Sequence, residues 1–235
     1  VTLDLIAQGG VELRERSGAG CVAENGFCPD WIAANYDRYV TPFFEHVMLT
    51  LVPVAIGFAI AFTLALLAHR RRWLIGPVTG VTGALYTIPS VAFFFLLQPL
   101  TGLGNTTAIV ALTCYTLLII FRNVITGLSS VPAEAKDAAR GMGLTDNQML
   151  WRVELPLAVP ELLAGLRIAT TTTVGLAALA FLAGAGGLGA ELDRLPSFKS
   201  NVVIAGGLSV LLAAILDLMI LTFQRRVTPW QRASA

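Results

Sequence analysis

The chain has 235 residues, 55% of them hydrophobic and only 13% charged, with a formal net charge of +1, and its mean hydropathy is +0.72. An ordinary soluble domain carries roughly 25% charge, so this composition argues against a solvated globular protein and makes the bilayer the expected solvent. No nucleic-acid partner is expected.

The first 45 residues read as an extracytoplasmic arm. They carry seven acids (Asp4, Glu12, Glu15, Glu24, Asp30, Asp37 and Glu45) against three arginines. Residues 1–20 lack an apolar core, so no cleavable signal peptide is expected. Val1 is either an alternative start codon read literally or the edge of a fragment. Cys21 and Cys28 bracket residues 22–27, and on an oxidising face a disulfide between them is expected, two unpaired thiols being the alternative. The amphipathic stretch 31–44 follows.

Residues 46–69, 73–121, 168–190 and 200–216 contain no Asp, Glu, Lys or Arg. At about 20 residues per crossing, and with the turn signals between them, these runs predict five spans: 46–68, 77–99, 105–127, 158–182 and 202–223. The expected fold class is therefore all-α, a polytopic membrane protein of five transmembrane helices. Its predicted plan is an arm (1–45), a transmembrane domain (46–223) and a cytoplasmic tail (224–235). Arg70, Arg71 and Arg72 close the first span, and Arg225, Arg226 and Arg232 follow the last. The positive-inside rule puts both clusters in the cytoplasm, giving an N-out, C-in orientation.

Within the spans, Pro53 and Pro89 predict kinks of the kind tolerated where neighbouring helices or a cavity re-satisfy freed backbone groups. Cys114 reads as a small packing residue in the third span. Thr170, Thr171, Thr172 and Thr173 either bond back to their own helix or line a polar pathway. Arg167 and Asp217 are charges inside spans, at similar depth. They either pair, or each snorkels to the cytoplasmic headgroups. Residues 184–189, Gly-Ala-Gly-Gly-Leu-Gly, match the dinucleotide pattern G-x-G-x-x-G, but follow an apolar helix where that fingerprint needs a strand. A re-entrant or extracytoplasmic turn, with a gating role, is the better reading.

Residues 129–156 are a polar island between spans, on the same side as the arginine clusters. Two short helices are predicted. Pro132 suits a first helical position, Glu134 the positive end of the dipole, and Gly143 a left-handed cap. Ala135, Ala138, Ala139 and Met142 form an apolar stripe of mostly small residues, with Lys136, Asp137 and Arg140 opposite. A headgroup-lying helix would use bulky apolar residues, so this stripe suits a protein groove. The second helix opens with a capping box, Thr145 with Gln148. It is expected to expose Met149, Trp151 and Val153, and to stop at Leu155-Pro156.

The positions Asp137-Ala138-Ala139, Gly143, Val153, Leu155 and Pro156 resemble the EAA loop of permease subunits of type I bacterial ABC importers, E-A-A-x-x-x-G, nine residues, I-x-L-P. Asp137 stands where that pattern has Glu, and Val153 where it has Ile. The resemblance extends to the five spans, the arginine turn at 70–72, the 184–189 loop and the ending at 225–229. It is strongest to the osmoprotectant branch (glycine betaine, choline, carnitine, proline betaine), and the methionine-importer permeases are the nearest alternative.

It implies a MetI-like fold in the bacterial cytoplasmic membrane and a coupling helix at 132–143. The implied partners are a dimer of ATPase subunits, a second permease subunit (a copy or a paralogue) and an extracytoplasmic substrate-binding protein. The chain has no P-loop, its only lysines being Lys136 and Lys199, so ATP hydrolysis is assigned to the partner. Neither a cofactor, a metal nor a catalytic residue is expected in this chain. An ion-gradient transporter would want inverted repeats and midplane carboxylates. A membrane enzyme would want a nucleophile or ligand set near His46 or His69. The sequence offers neither.

Overall fold

A computed structural model describes residues 19–232. The signal-peptide reading of residues 1–20 thus falls almost wholly outside the described residues, as do Val1, Asp4, Glu12, Glu15, Arg14 and Arg16. The described residues are helical and contain no strand. In chain order the helices are α1 (Ala19–Ala23), α2 (Pro29–Ala34), α3 (Val40–Arg70), α4 (Ile75–Thr87), α5 (Ser90–Thr101) and α6 (Asn105–Ser129). There follow α7 (Ala133–Gly141), α8 (Asp146–Met149), α9 (Leu155–Ala177), α10 (Leu188–Arg194) and α11 (Lys199–Val227).

Three of these, α3, α6 and α9, pack against one another as the trunk of the molecule. Their mutual faces are built from small residues. Ala61, Ala65, Ala68, Ala111, Ala158 and Ala169 are fully buried, and three glycines sit where a side chain would not fit. A Cβ on Gly165 would lie 2.4 Å from Asn123 Cβ, and one on Gly127 would lie 2.9 Å from Glu161 Cβ. On Gly57 it would meet Thr116 Oγ1 at 1.8 Å. Lipid tails are as apolar as leucine, so helices in a membrane gain by close packing rather than by escaping water, and small residues permit that approach. Larger side chains then fill the flanks: Ile120, Phe121, Val124, Leu128 and Leu162 at one end, Leu49, Phe94, Leu112 and Tyr115 toward the other.

The expected span 77–99 is not a single straight helix. α4 and α5 meet at an angle of 100°, across Ile88 and Pro89, both in extended backbone. Proline removes the N–H that would continue α4 and pushes the residue before it out of the helical region. The Ile88 carbonyl so freed accepts the Tyr115 hydroxyl of α6. Pro53, by contrast, lies inside the uninterrupted helix α3.

Judged by length and hydropathy, Tyr36–Arg70, Asn105–Ser129 and Lys199–Val227 each suffice to cross a membrane. The bent α4–α5 pair makes a fourth if it counts as one span. α9, at 23 residues, is long enough, but Glu161, Arg167 and its four threonines make it less apolar than these.

The arm docks on the start of α11. Cys21 and Cys28 form a disulfide, and the Cys28 amide donates to Ser200 Oγ at 2.7 Å. Tyr39 Oη donates to Asn201 Oδ1 at 2.8 Å, and the Trp31 ring packs edge-on against Phe198 at 4.7 Å. Arg38 pairs with the buried Glu191 of α10 at 2.7 Å. The first spanning helix therefore starts at Val40, six residues before the expected span.

The trunk packing makes a direct expectation. Gly165→Ala forces Asn123 and its backbone to shift, and overpacking of this kind typically costs about 1–3 kcal/mol. The apparent melting temperature of the detergent-purified protein should fall. Gly80→Ala, inside α4 where a Cβ meets nothing within 4 Å, should not lower it.

Candidate functional site: a coupling helix and its anchor

The polar loop folds as two helices, with boundaries that differ from the expectation in instructive ways. Pro132 is the N-cap of α7 rather than its first helical residue, with ψ of 140°. The helix ends in a Schellman motif. The Leu144 amide donates to Ala139 O at 3.2 Å and the Gly143 amide to Arg140 O at 2.9 Å, with Gly143 at φ +79°. That left-handed position is why a glycine stands there.

α8 opens with the expected capping box. Thr145 N–H donates to Gln148 Oε1 at 3.0 Å, and Gln148 N–H donates back to Thr145 Oγ1 at 3.4 Å.

The second helix does not stop at Leu155-Pro156. It widens into a π-helical turn, Leu150–Glu154, and runs directly into α9. Pro156 lacks an N–H, and its ring crowds the carbonyl four residues back, Arg152. A wider turn just before the proline accommodates both effects without ending the helix. The polar loop is thus continuous with a trunk helix.

The alanine stripe is also divided differently from the expectation. Ala139 is buried against the body of the protein and Ala135 is half-buried, whereas Asp137, Ala138 and Met142 are exposed. Lys136 leans inward. Of the residues expected to be exposed on the second helix, Met149 is buried and Val153 half-buried, so only Trp151 remains fully open. Leu155 is buried and Pro156 half-buried. The outward surface of α7 therefore carries Asp137, whose one partner is Arg140 a turn away at 3.3 Å, with Ala138 and Met142 beside it.

Beneath that surface lies a residue the motif reading passed over. Glu154 is only 4% exposed. Its Oε2 lies 2.8 Å from His69 Nε2 at the end of α3, and its Oε1 lies 3.3 Å from Lys136 Nζ of α7. One carboxylate thus joins the end of α3, the coupling helix and the entrance to α9. The sequence held a signal for it: Leu150, Glu154 and Ala158 recur every fourth residue and all face inward.

Beside this anchor is a cleft of about 480 Å³, bordered by His69, Arg70, Lys136, Arg140 and Asp146. Arg70 also donates to Asn147 Oδ1 at 2.6 Å.

The other singled-out residues fall elsewhere. Arg167 and Asp217 form a two-pronged ion pair, Nε to Oδ1 and Nη2 to Oδ2, each at 2.8 Å. Pairing, not independent snorkelling, is the arrangement, and it ties α11 to α9. Thr170, Thr171 and Thr173 donate to carbonyls four residues back in their own helix, which is the local alternative of the two expected for them. Thr172 is half-buried beside them. Cys114 is a free, half-buried thiol.

Residues 184–189 follow a helix and a 3-10 turn (Ala180–Ala183), with no strand before them. Gly184 and Gly187 adopt positive φ, and Gly189 is packed so closely that a Cβ would fall 2.0 Å from Ala178 O. The Gly104 amide and the Gln98 side chain bond to the preceding carbonyls of Ala183 and Leu182.

The described residues form an all-helical bundle with helices apolar enough to cross a membrane and an internal polar loop that runs into a trunk helix. Residues 50–229 match the family described as binding-protein-dependent transport system inner membrane component, and the chain belongs to that family. It is a multi-pass protein of the cytoplasmic membrane.

It is 38% identical over 193 residues to the osmoprotectant import permease protein OsmW of Salmonella typhimurium, covering 79% of this chain and 90% of that one. It is 34% identical over 188 residues to the choline transport system permease protein OpuBB of Bacillus subtilis, covering 79% and 87%. Among solved structures it is similar to the MetNI methionine ABC transporter in an inward-facing conformation, with a TM-score of 0.68 and 26% identity over 81% of this chain and 94% of that one. An amino acid ABC transporter solved with histidines shares the fold at a TM-score of 0.69 and 17% identity, over 82% and 97%.

Two expectations follow from the buried charges. Glu154→Ala removes the shared acceptor of Lys136 and His69 and should cost about 1–3 kcal/mol. Hydrogen exchange of the α7 amides should rise well above that of α6. Asp217→Ala should lower the melting temperature of the purified protein, and the swapped pair Arg167→Asp with Asp217→Arg should recover part of the loss. If the swap recovers nothing, the pair is not what joins α9 to α11.

Proposed function

We propose that this chain is the permease subunit of an ATP-binding-cassette importer for osmoprotectants, small compatible solutes such as glycine betaine, choline or carnitine. The observation that carries this reading is its 30–38% identity, over most of its length, to permeases named for those solutes. The methionine importer shares the fold at lower identity, which makes an amino-acid substrate the weaker reading.

The bundle has two chemically distinct poles. Arg70 and the α7–α8 loop gather at one end, joined by the Arg70–Asn147 bond, and Gln224 near the end of α11 donates to Pro160 O near the start of α9 at 3.4 Å. This pole carries Arg70, Arg71, Arg72, Lys136, Arg140, Arg152, Arg225 and Arg226. The positive-inside rule assigns it to the cytoplasm. The disulfide arm and the 184–189 loop then lie outside. Five crossings satisfy this arrangement if the bent α4–α5 pair and α9 each count as one.

A separate dimeric ATPase supplies the energy, docking on the outward face of α7 around Asp137, Ala138 and Met142. Its movement reaches the trunk by two routes, through the Lys136–Glu154–His69 anchor and through the unbroken run into α9. Pulling one element of a two-state bundle shifts access from one side to the other. A second permease subunit completes the pathway, and an extracytoplasmic binding protein delivers the solute. ATP is bound by the partner, so this chain itself needs no cofactor.

Two measurements test this. Cells depending on this transporter should accumulate labelled choline or glycine betaine and not methionine; methionine uptake alone would overturn the substrate class. Ala138→Trp, which places a bulky ring on the exposed face of α7 without disturbing its caps, should reduce co-purification of the ATPase. Undiminished co-purification together with undiminished uptake would show that docking occurs elsewhere.

A further inference from the structure

At the pole opposite the coupling loop, the first turns of α3 and α6 enclose a pocket of about 360 Å³, within the range of roughly 300–1,000 Å³ typical of small-ligand sites. Its walls are apolar, with Phe44, Met48, Leu49 and Ile109 among them, and Glu45 is its one ionisable residue among the described residues. Glu45 forms no ion pair with any described residue. Its Oε2 accepts the Gly187 amide at 2.8 Å, and the carboxylate is pressed against the 184–189 loop so closely that a Cβ on Gly186 would lie 2.1 Å from Oε2.

The neighbouring His46 does not supply the missing charge. It is fully buried, with Nε2 3.1 Å from Val174 O and Nδ1 without a partner. A charged ring would leave a buried Nδ1–H unpaired, which disfavours the imidazolium there.

A half-buried carboxylate among apolar side chains is costly unless a cation compensates it, and no described residue provides one. The solutes named for the relatives share one group that fits. A quaternary ammonium has no N–H to donate, so hydrogen-bond acceptors cannot hold it. It is recognised by a counter-charge, by aromatic faces and by apolar contact with its methyl groups. Glu45, the exposed ring of Phe44 and the thioether of Met48 supply these three. A primary ammonium would want several acceptors in addition, and the pocket offers only the neutral groups of Thr41 and Asn105.

We propose that this pocket is an outer-mouth site for a quaternary ammonium head group, with Glu45 as its counter-charge and Phe44 as its aromatic wall. The assignment rests on the osmoprotectant reading above. Because the same carboxylate holds Gly187, occupancy of the pocket is felt by the loop that closes this pole. The substrate released by the binding protein would meet Glu45 first, before the trunk opens.

The test uses the permease–ATPase complex in nanodiscs, without the binding protein. Equilibrium dialysis with labelled choline should show saturable binding that tetramethylammonium displaces and an equal concentration of sodium does not. Glu45→Gln keeps an acceptor for the Gly187 amide but removes the charge, and should weaken binding about tenfold or more. Phe44→Ala, at an exposed position, should weaken it about threefold. Choline affinity unchanged in both variants, or no binding by wild type although cells import choline or glycine betaine, would overturn the site. Failure of cells to import either solute would overturn the osmoprotectant reading and the site with it.

Discussion

Everything in this structure hangs on how closely three helices approach one another. In a bilayer, association of α3, α6 and α9 gains nothing from excluding water, so it depends on backbones coming near enough for dense dispersion contact. Gly57, Gly127 and Gly165, with the buried alanines, make that approach possible. The consequence is a closely packed trunk against which the other elements lean. The bent α4–α5 pair leans on α6, α11 on α9, and α7 on the π turn that opens α9.

Two charge clusters then do different work on the same trunk. Arg167–Asp217 joins α9 to α11 within the spanning region, where an unpaired charge is expensive, so each residue stabilises the other's presence. Such a pair adds little net stability over an apolar contact of equal size, but it tolerates only one alignment of the two helices. The Glu154 cluster is asymmetric. One buried carboxylate serves two partly exposed side chains on separate elements, Lys136 of α7 and His69 of α3. Alignment of α9 with α11 and the seating of α7 thereby rest on separate groups.

Much of this was legible in the sequence because it is local chemistry. The positive-φ glycine at 143, the capping box at 145–148, the apolar runs and the pairing of Cys21 with Cys28 each depend on residues close in the chain. What the sequence did not yield depends on tertiary partners. Pro89 announced a disruption, but only Tyr115, donating to the freed Ile88 carbonyl, lets the chain turn through 100° there. Pro156 looked like a stop, and the π turn before it made it a continuation. Glu154 sat inside the recognised motif at one of its variable positions; its four-residue spacing with Leu150 and Ala158 pointed to burial, but its partners His69 and Lys136 lie on other elements. The stripe on α7 was read as one outward face, whereas the trunk claims Ala139 for itself.

The arm's disulfide has a consequence for how the protein is made. Cys21 and Cys28 lie before the first spanning helix, and the loop they close sits on the beginning of the last. Thiols oxidise stably in an oxidising compartment, so in the N-out arrangement proposed above this clasp closes once the arm has crossed. Contact with Ser200 and Asn201 further requires that α11 has been threaded. The bond itself needs only the arm, whereas its seat on Ser200 needs α11, so the clasp can close early and dock late.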